Sequence, residues 1–350
     1  MADNFAPLLV TREQAQRVID HHYGAPTPLT SLEELELHGY SAFTPTKSYK
    51  LVVDDDTAYI LKISHPPSST LDSTFYSPNT LAAEYELLSL LAQHTDVPHA
   101  QAHTLDTSRA LIPHAYLLLS APRGIPLSHA RASGRLTERQ AALVELRIGA
   151  HMRTLHERVQ NDWFGMPSQA RDALYSWQEA FTGVLEGLLH EAREVLGAAL
   201  PYSDEDVRRC LSRAIGFFLF DDCEVPSLVS VAGDDGAVMV DLDAGAGADE
   251  VRITSLVPLS HALWGDPLFE AMFISPSAAF LEGYGGSPVV FARQKTKRLW
   301  YTFFLALVIV VQAARPEEVK AEVTDRAKKV AWAREQLASC VQKLKDAPCY

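Results

Sequence analysis

Tyr59-Ile-Leu-Lys-Ile63 is a β-forming run with a lysine near its end, and Thr80-Leu-Ala-Ala-Glu-Tyr-Glu-Leu-Leu-Ser-Leu-Leu-Ala92 repeats apolar residues at helical spacing. Together these stretches decide the fold. A strand lysine by itself is ordinarily an edge or surface residue. Here a helix with two acids follows it, Glu84 early in the helix and Glu86 two residues on, which point to different helix faces.

Before the lysine strand, 8–22 reads as a short helix with Thr11 as its N-cap. Residues 35–40, 48–53 and 58–63 read as strands, with Asp54-Asp-Asp56 turning between the last two. After the acidic helix, strands at 100–105 and 115–120 lead into Ala121-Pro-Arg-Gly124, a Pro/Gly hinge. Helical patterns then dominate, at 137–158, 168–196, 203–219, 268–281, 290–314 and 316–345. One hairpin is expected among them, 227–232 with 237–242 around Gly233-Asp-Asp-Gly236. The fold class is thus α+β: a sheet lobe over 1–121 and a helical lobe over 122–350 that carries the hairpin 227–242.

The 350 residues are 47% hydrophobic and 21% charged, enough apolar material for two lobes with their own cores. Lys plus Arg number 31 against 44 Asp plus Glu, and the net charge of −13 argues against nucleic acid as a partner. Cys210, Cys223, Cys340 and Cys349 form no CxxC pair, so free thiols in a reducing, cytoplasmic setting are expected. The start of the chain has no basic-then-apolar leader pattern. Phe303 to Val311 is half of the roughly 20 residues a membrane span needs, and reads as a buried helix rather than a membrane segment. His94, His99, His103 and His114 straddle a loop and two strands and read as polar surface residues, while the C-terminal stretch reads as a helix docked on the helical lobe.

Further motifs keep a consistent order. Val97-Pro98 precedes a strand, and Tyr116-Leu-Leu-Leu-Ser-Ala-Pro-Arg-Gly-Ile-Pro-Leu127 makes a strand, a hinge and a Gly-x-Pro-Leu turn. Ile148-Gly-Ala-His-Met-Arg-Thr-Leu-His156 ends a helix in Leu-His, and Trp163-Phe-Gly165 follows it. Val240-Asp-Leu-Asp243 is an acidic strand end, and Gly265-Asp-Pro267 opens a later helix. Over about residues 30–310 this series resembles the aminoglycoside phosphotransferase and choline-kinase-like family, within the protein-kinase-like fold. The resemblance implies ATP and Mg2+ as cofactors, with Lys62 on the nucleotide phosphates and Glu84 holding Lys62. It implies Asp241 as the magnesium ligand, with Asp243 as a second ligand or a loop acid. A small-molecule substrate would lie in the inter-lobe cleft or a pocket of the helical lobe.

The family's catalytic loop, roughly His-Gly-Asp-Leu-x-x-x-Asn, is not legible. Matched by length, Cys223 falls at the catalytic Asp and Leu228 at the Asn. Shifted by one, Asp222 takes the base position, Ser227 that of the Asn, and Phe220 that of the His. Alternatively, Pro226-Ser-Leu-Val229 makes Ser230 the His and implies that the loop is deleted. Every placement loses the Asn. The nucleotide-covering stretch, Gly39-Tyr-Ser-Ala-Phe-Thr-Pro-Thr-Lys-Ser-Tyr49, is also irregular, with one glycine followed by bulky residues. Three functions stay open: a phosphotransferase with Asp222 as base, a non-catalytic pseudokinase, and a kinase-like scaffold turned to ATP-independent metabolite chemistry such as cyclisation or rearrangement.

Overall fold

A computed structural model of the chain describes residues 7–65, 76–243, 250–315 and 325–349. The N-terminal lobe is built on a five-stranded antiparallel sheet in the order β1-β2-β3-β5-β4: β1 Leu29–Glu34, β2 Thr46–Val53, β3 Ala58–Ser64, β4 Ala102–Asp106 and β5 Ala115–Ser120. The β2–β3 turn is closed by Asp55 accepting from Thr57 N–H and by left-handed Asp56, a conformation acids tolerate in turns. Helix α1, Arg12–Tyr23, starts with a capping box on Thr11 and covers one face of the sheet with Ala15, Val18 and Ile19. Helix α2, Leu81–His94, is capped by Thr80 and lies on the other face through Leu81, Leu87, Leu88 and Leu91.

The expected strand at 35–40 does not form; β1 stands at 29–34 instead. Leu37 and Tyr40 pack against the core of the other lobe, which draws this segment off the sheet.

The C-terminal lobe follows a short hinge strand β6, Ile125–Pro126, and helix α3, Leu127–Ala132. Its framework is α4 Glu138–Arg158, α5 Trp177–Leu196, α6 Asp204–Gly216, α7 Ala278–Tyr284, α8 Ala292–Ala314 and α9 Arg326–Asp346. Helix α8 is long and apolar enough to cross a membrane, but 83% of that stretch is buried against the lobe, where α5 and α9 flank it. Phe303–Val311 is core, as its hydrophobicity requires. Pro267 and Pro276 break the expected helix at 268–281 into two short 3-10 turns followed by α7. The expected helix at 168–196 likewise opens as a 3-10 turn, with α5 starting only at Trp177.

The expected hairpin 227–242 is overturned. Strand β7, Ser227–Ser230, pairs with β10, Ala262–Gly265, whereas β8, Met239–Asp241, pairs with β6 and with β9, Arg252–Ser255. Every residue of β7 is buried, so tertiary partners rather than the Gly-Asp-Asp-Gly turn choose its pairing. Residues 231–238 become a loop between two sheets.

A buried polar chain fixes α8 beneath this loop. Trp177 Nε1 donates to Tyr301 Oη at 2.8 Å, Tyr301 donates to Asp266 at 2.9 Å, and Asp266 also pairs with Lys297. A Tyr301→Phe substitution strands the Trp177 N–H and removes a donor from a buried carboxylate. It should lower unfolding stability by about 1–3 kcal/mol, read from the shift of a urea midpoint.

Candidate functional site

β3 is the central strand of the N-terminal sheet, and its two-residue period separates two environments. Leu61 and Ile63 enter the core under α1, while Ile60 and Lys62 face the cleft between the lobes. The Thr80 cap sets the first turn of α2 so that Glu84 points back at β3. Lys62 Nζ donates to both Glu84 oxygens, at 2.6 and 2.8 Å, and to Ser260 Oγ at 3.0 Å. All three groups are buried. Glu86 is exposed, as its position two residues on requires. Asn79 fastens the entry of α2 to the other lobe, donating through its side chain to Leu259 O and Ala262 O and through its backbone to Ser260 O.

A cavity of about 400 Å³ adjoins this trio. Its walls are largely apolar, with Ile60, Leu88, Leu119, Met239, Val257 and Leu259 among them. Among the described residues, its acidic lining is Glu84, engaged with Lys62, and the exposed Glu36.

The other three candidate site residues stand elsewhere. Asp222 lies on the helical lobe, 2.6 Å from Lys297 Nζ and 3.3 Å from Arg293 Nε, and lines neither cavity described in this section. The physical reason is Lys297: a buried ammonium requires counter-charges, and Asp222 and Asp266 supply them. Burial pulls the Lys297 pKa down, but the two carboxylates carry it above its ordinary value. Asp241 ends β8 and caps its own turn by accepting from Asp243 N–H at 3.0 Å; neither residue lines the cleft. The segment facing Lys62 is instead Val257-Pro-Leu-Ser260, which follows β9 and contains no acid. Asp241 pairs with Arg252, at the opposite end of β9 from Ser255, the residue that joins the cleft wall. The glycine loop after Asp243 lies outside the described residues.

The loop between β7 and β8 is present, contrary to the deletion that one placement of the motif implied. Ser230 is buried; its N–H donates to Glu270 at 2.6 Å and its hydroxyl to Pro258 O at 2.8 Å. Beyond it stand Val231, Ala232, Gly233, Asp234, Asp235, Gly236 and Ala237. Asp234 accepts from the backbone N–H groups of Tyr40 and Gly236, and Asp235 pairs with Arg131 at 2.8 Å. Burial pushes Asp234 up to about 6. Asp234 and Asp235 line a second, outer cavity of about 830 Å³ with Ile148, Met272, Phe280 and Trp332.

Sequence reasoning missed four residues of this region. Asp234 and Asp235 read as part of a hairpin turn, and Ser260 and His261 carry no motif. The available signal was position, since Ser260-His261 lies just ahead of Gly265-Asp-Pro267. His114, read as a surface residue, is buried. His261 is buried with Nε2 2.8 Å from Phe43 O and Nδ1 2.6 Å from Tyr76 Oη. A carbonyl only accepts, so the proton is assigned to Nε2 and Tyr76 donates to Nδ1.

Among the described residues, no three His, Cys, Asp or Glu side chains gather into a set able to hold a metal ion. Magnesium needs hard oxygen donors at the phosphates, and the cleft's acids do not fit that need. Burial lowers the His261 pKa from 6.5 to about 4. Between these values the unfolded chain takes up a proton that the folded chain refuses, so this contribution to stability is present above pH 6.5 and lost toward pH 4. Asp234 acts oppositely, favouring the folded state as pH falls from about 6 to 3.8. The stability gap between wild type and His261→Gln should therefore shrink as thermal melts move from pH 7 to pH 4.5.

No family model matches the sequence, and no curated protein matches it. Solved structures do. A thermostable mutant of aminoglycoside phosphotransferase APH(4)-Ia, in ternary complex with AMP-PNP and hygromycin B, superposes with a TM-score of 0.54 at 17% identity, covering 94% of this chain and 98% of that one. The GDP complex of aminoglycoside 2'-phosphotransferase-IIIa gives 0.57 at 13% identity, covering 95% and 99%. Macrolide 2'-phosphotransferase MphH from Brachybacterium faecium gives 0.52 at 18%, covering 94% and 98%. Over nearly its whole length, this chain has the protein-kinase-like fold of the small-molecule phosphotransferases.

Proposed function

We propose that the chain binds a small molecule in the inter-lobe cleft without carrying out magnesium-dependent phosphoryl transfer. Solved structures of the same fold hold AMP-PNP, ADP or GDP, and two of them also hold hygromycin B. A ligand-binding role between the lobes is the feature carried over here. The observation that supports this reading is the acid-free segment Val257–Ser260 opposite Lys62. Phosphoryl transfer depends on positioned metal ions that neutralise charge on the β- and γ-phosphates. With Asp241 outside the cleft and Asp222 committed to Lys297, neither the metal ligand nor the base stands beside the lysine.

Lys62 stands at the buried end of the chamber, with Ser260 beside it as a neutral donor and acceptor. Such a pair suits one anionic or polar group on a mainly apolar ligand. An intact lysine–glutamate pair in a cleft whose described lining holds no cluster of metal-binding acids supports the pseudokinase reading.

Two results are expected. In a thermal-shift screen of nucleosides, nucleoside monophosphates and aromatic carboxylates, stabilising ligands should act equally in magnesium and in EDTA, and Lys62→Met should abolish their effect. Magnesium-dependent transfer of phosphate from ATP to an acceptor, lost in Asp241→Asn, would refute the proposal. Separately, Glu84→Ala should cost about 3–5 kcal/mol in urea unfolding by leaving a buried ammonium unpaired, whereas the double replacement Lys62→Met with Glu84→Leu should recover most of that loss.

A further inference from the structure

The segment joining β1 to β2 is docked on the C-terminal lobe along its length. Gly39 has φ of +80°, a conformation that favours glycine, and a methyl group there would overlap the Asp234 carboxylate. Facing it, a methyl on Gly236 would overlap the backbone of His38 and Gly39. Two backbones therefore touch at two glycines. The next residue adds two contacts: Tyr40 N–H donates to Asp234 at 3.2 Å, and its ring stacks on Trp332 of α9 at 4.7 Å between centroids. At the far end of the segment Phe43 is buried, accepts from His261 Nε2 through its carbonyl, and carries the Arg326 guanidinium 5.2 Å above its ring.

This docking has a consequence for the cleft. His38 and Gly236 line both the 400 Å³ chamber beside Lys62 and the 830 Å³ outer cavity, so the contact between the two loops is the wall between them. A ligand extending from the Lys62 chamber into the outer cavity would have to pass the His38–Gly236 wall. The inner chamber is at the small end of the range for ligand pockets, which is about 300–1,000 Å³. Its lining is mainly apolar, with Lys62 at the buried end and the exposed Lys50 on β2, and it matches a short ligand with a small anionic end.

We propose that the Gly39–Phe43 segment is a latch that walls the Lys62 chamber off from the outer cavity, and that the chamber therefore takes a compact, mainly apolar ligand with a short anionic end. This assignment rests on the proposed binding role of the Lys62 chamber. It goes further in excluding polyphosphate and in naming Asp234 and Trp332 as the catch. Neither residue touches the ligand; both act by holding the loop.

The test uses the full chain without metal, with AMP and ATP as probes that differ only in phosphate length, against wild type, Trp332→Ala and Asp234→Ala. Calorimetry should give wild type an affinity for AMP at least about tenfold above that for ATP, and both variants should bring ATP to within roughly threefold of AMP by opening the wall. Hydrogen exchange supplies an arm that needs no ligand. Amides of 40–44 should be protected in wild type and exchange roughly fivefold to tenfold faster in each variant, while amides of β2 and β3 keep their protection. If ATP binds wild type as tightly as AMP, or 40–44 exchange freely in wild type, the latch is refuted. If neither probe binds any of the three proteins, the ligand assignment falls and the exchange arm alone decides the latch. Magnesium-dependent turnover would instead sink the earlier functional proposal and leave the exchange result standing.

Discussion

The fold is organised around the burial of one ammonium group. Lys62 sits on the central strand of the N-terminal sheet with its charge turned away from water, and a buried charge is tolerable only when paired and hydrogen-bonded. Glu84 meets it with two oxygens, which fixes how α2 lies on the sheet, and Ser260 supplies the third contact from the opposite lobe. Asn79 then binds the entry of α2 to the carbonyls of the same segment. One polar cluster thus sets helix against sheet and lobe against lobe. A hydrophobic substitute could match its stability, so its persistence is better explained by placement of a charge at the head of a cleft.

Around that cluster the chain has the fold of the small-molecule phosphotransferases, and several of its acids make structural contacts. Asp222 neutralises Lys297, Asp241 closes a strand end, and Asp235 is tied to Arg131. Asp234 is held by two backbone amides where the lobes touch. Each of these carboxylates has a local partner where it stands. The same economy explains the loop over the cleft. With Asp234 and Trp332 to receive it, the segment after Gly39 gains more by packing on the C-terminal lobe than by remaining an open cover.

Much of this was legible in the residues. Apolar periodicity and the Thr11 and Thr80 caps located α1 and α2, because local hydrogen bonds and one-sided burial act within a few residues. The Lys62–Glu84 pair could be anticipated because strand and helix are neighbours in the chain. The errors lie where distant partners decide. Gly233-Asp-Asp-Gly236 has the composition of a hairpin turn, yet β7 and β8 pair with β10, β6 and β9. Leu35-Glu-Leu-His-Gly-Tyr40 alternates like a strand, yet Leu37 and Tyr40 are claimed by the core of the other lobe.

The sequence by itself determined the two-lobed α+β architecture and the lysine–glutamate pair, since both follow from periodicity, capping and the order of neighbouring elements. Only the tertiary structure decided which acids reach the cleft. An aspartate's role depends on the nearest cation or amide donor, and for Asp222 that partner is Lys297, far along the chain on α8. It also decided that Gly39 and Gly236 touch, because a contact between two backbones across the lobes leaves no pattern in the sequence beyond two unremarked glycines.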